Sequence, residues 1–201
     1  MSKKTWIIIA VVAVLFFWIK GAYNGLVEQD ENVSLAWSKV ETQYQRRNDL
    51  IMNMVKIAER YAKQEKGTLT AVIEARSKAT SIQLSSDDLT EENMAKFQEA
   101  QSQLSGSLSR LMAVSENYPE LKANENYTKI MDQLEGTENR IAEARNQFND
   151  TVKPYNLAVR KFPNTIFAGI FGFKTKAEFK SEAGAEKGVN VGDAMDSLDK
   201  E

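Results

Sequence analysis

The chain has no cysteine and no histidine, only three prolines, and ten glycines that crowd toward its end. Each shortage excludes something. Without thiols there is no disulfide framework and no thiolate nucleophile, a lack compatible with either side of a membrane. Without imidazole, a metal would have to be held by carboxylates alone, and the Glu-x-x-His sites that bundles use for paired metals cannot be assembled. No metal and no cofactor are therefore expected. Few prolines and glycines leave long uninterrupted spans, which suit helices better than many short strands. The formal net charge is −2, with no basic block along the chain. Nucleic acid thus has no electrostatic footprint to follow and is not an expected partner.

What is present begins with an apolar run over residues 6–19, preceded by Lys3 and Lys4 and followed by Lys20. Residues 5–22, with Lys20 snorkelling its ammonium toward the headgroups, make roughly 27 Å of helix, enough for a bilayer core. Trp6, Ile9, Leu15 and Trp18 are the expected lipid-facing residues of this span. The competing reading is a cleaved signal peptide, but Lys20 then sits where a small residue is needed before Ala22. Lys3 and Lys4 favour the cytoplasmic side, whereas Glu28, Asp30 and Glu31 follow the span. The bulk of the chain is expected outside, on the periplasmic or extracellular face of a bacterial cell membrane, as a single-pass protein with a signal anchor.

Beyond the anchor, Val33, Trp37, Val40, Tyr44, Arg47, Ile51, Met54, Ala58 and Tyr61 recur at alternating steps of four and three, a heptad seam. The register continues through Gly67 to Val72, Ala75, Ala79 and Ile82, so the segment reads as one very long helix or as two with a turn near Lys66 and Gly67. Ser85 to Asp88 interrupt it, and Asp88 with Glu91 has the spacing of a capping box that starts a new helix. Met94, Phe97, Leu104, Leu108 and Leu111 give that helix its apolar face, and Tyr118-Pro119 closes it. Asn124 or Asn126 can cap a last helix with a seam from Tyr127 through Ile141 and Phe148 to Val159, kinked at Pro154 and ended by Pro163. The fold class is all-α: an N-terminal transmembrane helix followed by an up-and-down bundle of three to four long helices. Residues 1–4 form a cytoplasmic N-terminus, 5–22 the span, 23–165 the bundle, 166–180 an apolar tail and 181–201 a flexible C-terminus.

Trp37, the run Arg46-Arg47-Asn48-Asp49-Leu50-Ile51, Glu74-Ala75-Arg76, Tyr118-Pro119-Glu120-Leu121-Lys122, and Glu138-Asn139-Arg140-Ile141-Ala142 with Arg145, Asn149 and Asn156 resemble, in this order, the LemA family. The resemblance covers nearly the whole chain from the anchor to Pro163. It implies a bacterial protein held by one amino-terminal membrane helix, carrying a helical bundle, with no established enzymatic activity. Met52-Asn53 departs from the proline and asparagine common at that place in the family.

Arg47 falls on the seam itself, where a guanidinium needs a carboxylate, and Glu138 is the expected partner. Arg46, Arg47, Glu138, Arg145, Asn149 and Asn156 are read as a polar layer of the bundle, the last four recurring at sevens and fours on one helix face. In the tail, Ile166, Phe167, Ile170, Phe171 and Phe173 form a patch read as a lid on the bundle or as a contact with a protein or the membrane. The expected function is non-enzymatic: a membrane-anchored scaffold of the bacterial envelope that forms a homo-oligomer, by coiled-coil packing of its long helices, or binds another envelope protein. The alternative is a ligand-binding or sensory module recognising an anionic envelope component through Arg47 and Arg145.

Overall fold

The computed structural model describes residues 2–180, so the expected flexible C-terminus at 181–201 lies outside the described residues. Helix α1 runs unbroken over Lys3–Tyr61, about 88 Å at 1.5 Å per residue, and carries both the apolar run and the first half of the core. Helices α2 (Lys66–Ser81) and α3 (Glu91–Ser115) form a hairpin joined through a short 3-10 turn at Ser86–Asp88. A single-turn α4 (Pro119–Lys122) leads to α5 (Glu125–Arg160), and α6 (Asn164–Phe171) closes the helical series. Among the described residues there is no strand.

The long-helix alternatives at Gly67 are resolved by a turn that precedes it. Residues 62–65 leave the helix, and Gly67 lies in the first turn of α2 with open space where a Cβ would stand. Four long helices therefore run out, back, out and back. Helix α5 returns along α1, and its 36 residues match the stretch of α1 from Leu26 to Tyr61 in length, about 54 Å each. The seam of α1 is consumed inside the chain: Val33, Val40, Ile51, Met54 and Ala58 have no exposed surface, and Trp37 has almost none.

Local chemistry accounts for the ends of these elements. The Asp88 carboxylate turns back to accept from the Ser85 backbone N–H at 3.1 Å, so the capping box closes the short 3-10 turn and not α3. Thr90 caps α3 instead, its hydroxyl accepting from the Asn93 N–H at 3.3 Å. Asn124 caps α5 by accepting from the N–H groups of Asn126 and Tyr127. Pro154 is accommodated within α5, which ends at Arg160 with Lys161 already extended.

Two core clusters result. One, on the membrane side, collects Trp37, Tyr44, Phe97, Phe148, Tyr155 and Phe179; the other, toward the tip, collects Leu50, Ile51, Met54, Leu69, Leu104, Leu111 and Leu134. The segment connecting α2 and α3 packs on the membrane-side core, where the Trp37 indole N–H donates to the Leu84 carbonyl at 2.7 Å. Alongside that segment residues 173–180, an extended strap, add Ala177 and Phe179 to the same core.

Candidate functional site

Between the two cores, Arg47 on α1 is buried and reaches three partners on two other helices. Its guanidinium donates to Glu138 Oε1 on α5 at 3.1 Å, to Ser105 Oγ on α3 at 3.3 Å, and to the Gln101 side-chain oxygen. Glu138 is half exposed, so the pair straddles the edge of the bundle and one member keeps its hydration. The Arg47 Nε is buried without a partner. Arg46, one residue away, points to solvent. Arg76 on α2 donates from Nε to the Asn48 carbonyl at 3.0 Å, binding the hairpin to α1 just beyond.

The other residues of the expected polar layer do different work. Asn156 grips Lys176 of the strap from both sides of its peptide: Nδ2 donates to the carbonyl and Oδ1 accepts from the N–H, each at 2.8 Å. Asn149 does the same with Phe179, at 3.0 and 2.9 Å. The spacing is physical. Seven residues of helix advance about 10.5 Å and three residues of extended chain about 10 Å, so two asparagines two turns apart meet peptides three residues apart. Arg145 completes the row, donating to the Lys180 carbonyl at 3.3 Å with its guanidinium 4.7 Å from the Phe179 ring centroid. The strap's outer edge bonds too, Ala177 N–H to the Leu89 carbonyl at 2.8 Å.

Lys176 and Phe179, which the sequence reading did not single out, are thus central. The Phe179 ring stacks on Trp37 at 6.0 Å and meets Phe148 edge-on at 5.6 Å. Lys176 is buried and extends to the Ser86 carbonyl at 2.9 Å and to Asp30 Oδ1 at 2.8 Å, a charge contact whose angle is not that of a hydrogen bond. Extended chain has no helical periodicity to betray it. The signal available was the pair of asparagines at a spacing of seven, which suits a strap as well as a helix.

A cleft of about 650 Å³ opens beside the Arg47 layer, where Arg145 and Lys180 join Arg47, Tyr44, Glu99 and Glu138. Burial pushes the Tyr44 phenol above its ordinary pKa, a shift eased but not reversed by Arg145 and Arg47. It stays protonated, a hydrogen-bonding group and not a base. Tyr155, also raised, chiefly by burial and further by Asp30, donates its hydroxyl to the Lys174 carbonyl at 2.9 Å. Among the described residues no three carboxylates gather as a metal site.

At the membrane end, the apolar face of residues 6–19 is exposed along its length, and α1 holds the one helix segment among the described residues long and apolar enough to cross a membrane. Trp6, Ile9, Leu15 and Trp18 all lie on this bare surface. Helix α6 packs directly beside it: Phe167 meets Trp18 edge-on at 5.3 Å and Phe171 meets Tyr23 at 4.8 Å. Phe173 is half-buried against Tyr23, whereas Ile166 and Ile170 face outward.

Comparison with known proteins places the chain among relatives. The chain is 28% identical over 169 residues to the magnetosome protein MamQ of Magnetospirillum gryphiswaldense, covering 76% of this chain and 62% of that one, so it spans less than two thirds of that relative. It is also 28% identical over 192 residues to MamQ 1 and MamQ 2 of Paramagnetospirillum magneticum, covering 87% of this chain and 69% of each. The bare apolar start of α1, long enough to cross a membrane, marks a membrane-associated protein. The model of the LemA family matches residues 36–192, from the residue before Trp37 to beyond the strap, and the chain belongs to the LemA family.

Proposed function

We propose that the chain is a non-enzymatic scaffold anchored in a bacterial envelope membrane by residues 5–22 as a signal anchor, with its bundle on the outer face, where it joins copies of itself or another envelope protein. The observation that carries this reading is the continuity of α1: one helix runs from Lys3, just before the apolar segment, to Tyr61 at the tip, so the anchor and the core are one rigid rod. A rod fixed in the membrane presents its sides at a constant height, and confinement to the plane raises the effective concentration of neighbouring copies. Because the α1 seam is filled within the chain, association by this seam is removed as a motive. The surfaces left include Leu35, Tyr61, Ile73 and Leu157 on the bundle, together with the polar helix faces.

Light scattering in mild detergent and crosslinking in intact cells test the reading together. A stable oligomer or a recurrent crosslinked neighbour supports it. A lone monomer with no captured neighbour overturns it. Sidedness is checked with Leu35→Cys, the only thiol such a variant would have. A membrane-impermeant thiol reagent should label it from outside once any outer membrane is opened.

A second reading has its own observation: Arg47, Arg145 and Lys180 converge on one open cleft, a cationic wall suited to an anionic envelope component such as a carboxylate or phosphate group. Changing Arg145 to Ala should abolish capture of such a ligand at near-normal stability. A purely structural Arg145 would instead lower the melting temperature with no ligand to lose.

A further inference from the structure

We propose that the turn from α5 into α6 is a wedge that enters the outer leaflet of the membrane beside the anchor, so that the protein is held by two elements and not one. The proposal rests on residues 5–22 crossing the bilayer. Trp18 lies four residues inside the end of that segment, about 6 Å below its outer boundary. Phe167 touches Trp18, and the more external Tyr23 touches Phe171, so α6 runs outward alongside α1. The start of α6 and the turn before it are then deeper than Phe167. A bilayer that surrounds Trp18 leaves no water at that level for the turn to occupy.

The composition fits the depth. Residues 162–173 contain no charged side chain, and the exposed Arg160 and Lys161 on one flank and Lys174 on the other have long stems that can carry their charges up to anionic headgroups. While Phe167 and Phe171 face α1, Phe162, Ile166 and Ile170 face away from the protein at 80%, 51% and 70% exposure. Such a face is costly in water and favourable in acyl chains.

Both ends of α6 go some way toward a stricter demand. A segment entering lipid must satisfy its own N–H and C=O groups. At the start of α6, Thr165 N–H bonds to the Lys161 carbonyl and Ile166 N–H to that of Pro163. At its end, Gly172 adopts a left-handed conformation at φ 82°, and the N–H groups of Gly172 and Phe173 both return to the Ala168 carbonyl. Directly after it the strap begins, so the asparagine row on α5 also fixes where the wedge sits.

The test uses the full chain in vesicles of phosphatidylethanolamine and phosphatidylglycerol, with a nitroxide on a single introduced cysteine at Ile170, and at Val12 and Leu35 as references. Collision with oxygen, which partitions into lipid, is compared with collision with a water-soluble nickel chelate. The Ile170→Cys label should follow Val12→Cys, with oxygen dominating, and Ile166→Cys should repeat the result. A ratio matching Leu35→Cys means the wedge is in water and overturns the proposal. Shielding from both reagents means that protein covers the face, and overturns it as well. If Val12→Cys itself reports water, the anchor fails and the wedge with it, an outcome distinct from failure of the wedge alone.

Discussion

Toward the tip, the bundle is closed by Leu50, Ile51, Met54, Val55, Leu104 and Leu111, aliphatic side chains supplied by α1 and the α2–α3 hairpin. Toward the membrane the same α1 is covered by aromatic rings and by a strap held through named hydrogen bonds. The first kind of core is tolerant: aliphatic groups of similar volume repack at modest cost. The second is specific, because stacked rings and paired peptides accept few substitutes. The difference teaches that the tip needs only helices of suitable pattern, whereas the membrane end needs particular residues.

The largest effect should come from Trp37. It is 2% exposed, contacts three aromatic rings and donates to Leu84, so Trp37→Ala should cost about 3–5 kcal/mol by cavity formation. Denaturant unfolding of the detergent-solubilised chain measures the loss. Hydrogen exchange then probes the comparison: amides of the strap and of α5 near Phe148 should lose protection while those of α2 keep theirs. Equal loss in both halves would make the bundle one cooperative unit and dissolve the distinction.

The tip was largely legible in the sequence, and so was the helical part of the membrane end, where Trp37, Tyr44, Phe97 and Phe148 fall on the expected seams; the strap was not. Positions Ile51, Met54, Ala58, Leu104 and Leu111 follow helical periods that report the buried face directly. Asn124 and the Tyr118-Pro119 pair are local punctuation, decided by atoms within one turn. The strap is decided by Asn149 and Asn156, which bond to residues 30 and 20 positions away, beyond any periodic signal. The helix break near Gly67 was open for a related reason: the register persists across it, and what chooses the turn is the reach of α3, not the local residues. Arg47 with Glu138 could be paired from the sequence because a charge on an apolar seam demands a partner; its bonds to Ser105 and Gln101 needed the third helix.

Arg47 lies on the boundary between the halves, and its replacement sharpens the comparison next. Arg47→Ala removes the bonds to Glu138, Ser105 and Gln101, leaving the buried Gln101 amide unpaired. The cost should be about 3 kcal/mol, at the low end for a broken buried pair because Glu138 can rehydrate. Arg47→Met, which fills the space without charge, should recover part of it. If Met is as damaging as Ala, hydrogen bonding and not volume holds this layer.

Smaller again is release of the strap. Asn149→Ala leaves the Phe179 N–H and C=O without their partner and should cost about 1–3 kcal/mol. Exchange at the Phe179 amide should accelerate by far more than exchange in α3. Protection unchanged at Phe179 would show that ring packing against Trp37 suffices to hold the strap, and would make the membrane end resemble the tip.

The smallest expected effect is at Asp88, in the 3-10 turn that joins α2 to α3. Hydrogen bonds from the Ser85 hydroxyl and backbone N–H lower its pKa below the ordinary carboxylate value. A carboxylate lowered by folding contributes stability that is present above its unfolded pKa, near ~3.9, and is lost as pH falls through the lower folded value. Asp88→Asn retains an acceptor but no charge. The melting temperature of the variant should fall slightly below that of the parent at neutral pH, and the gap should close as pH drops below about 4. Asp88 is exposed, so the gap stays small and shrinks with added salt if charge matters more than geometry. A gap that persists unchanged into acid would assign the effect to the shape of the turn. The anchorage of the α2–α3 hairpin at the level of Trp37 would then owe nothing to charge.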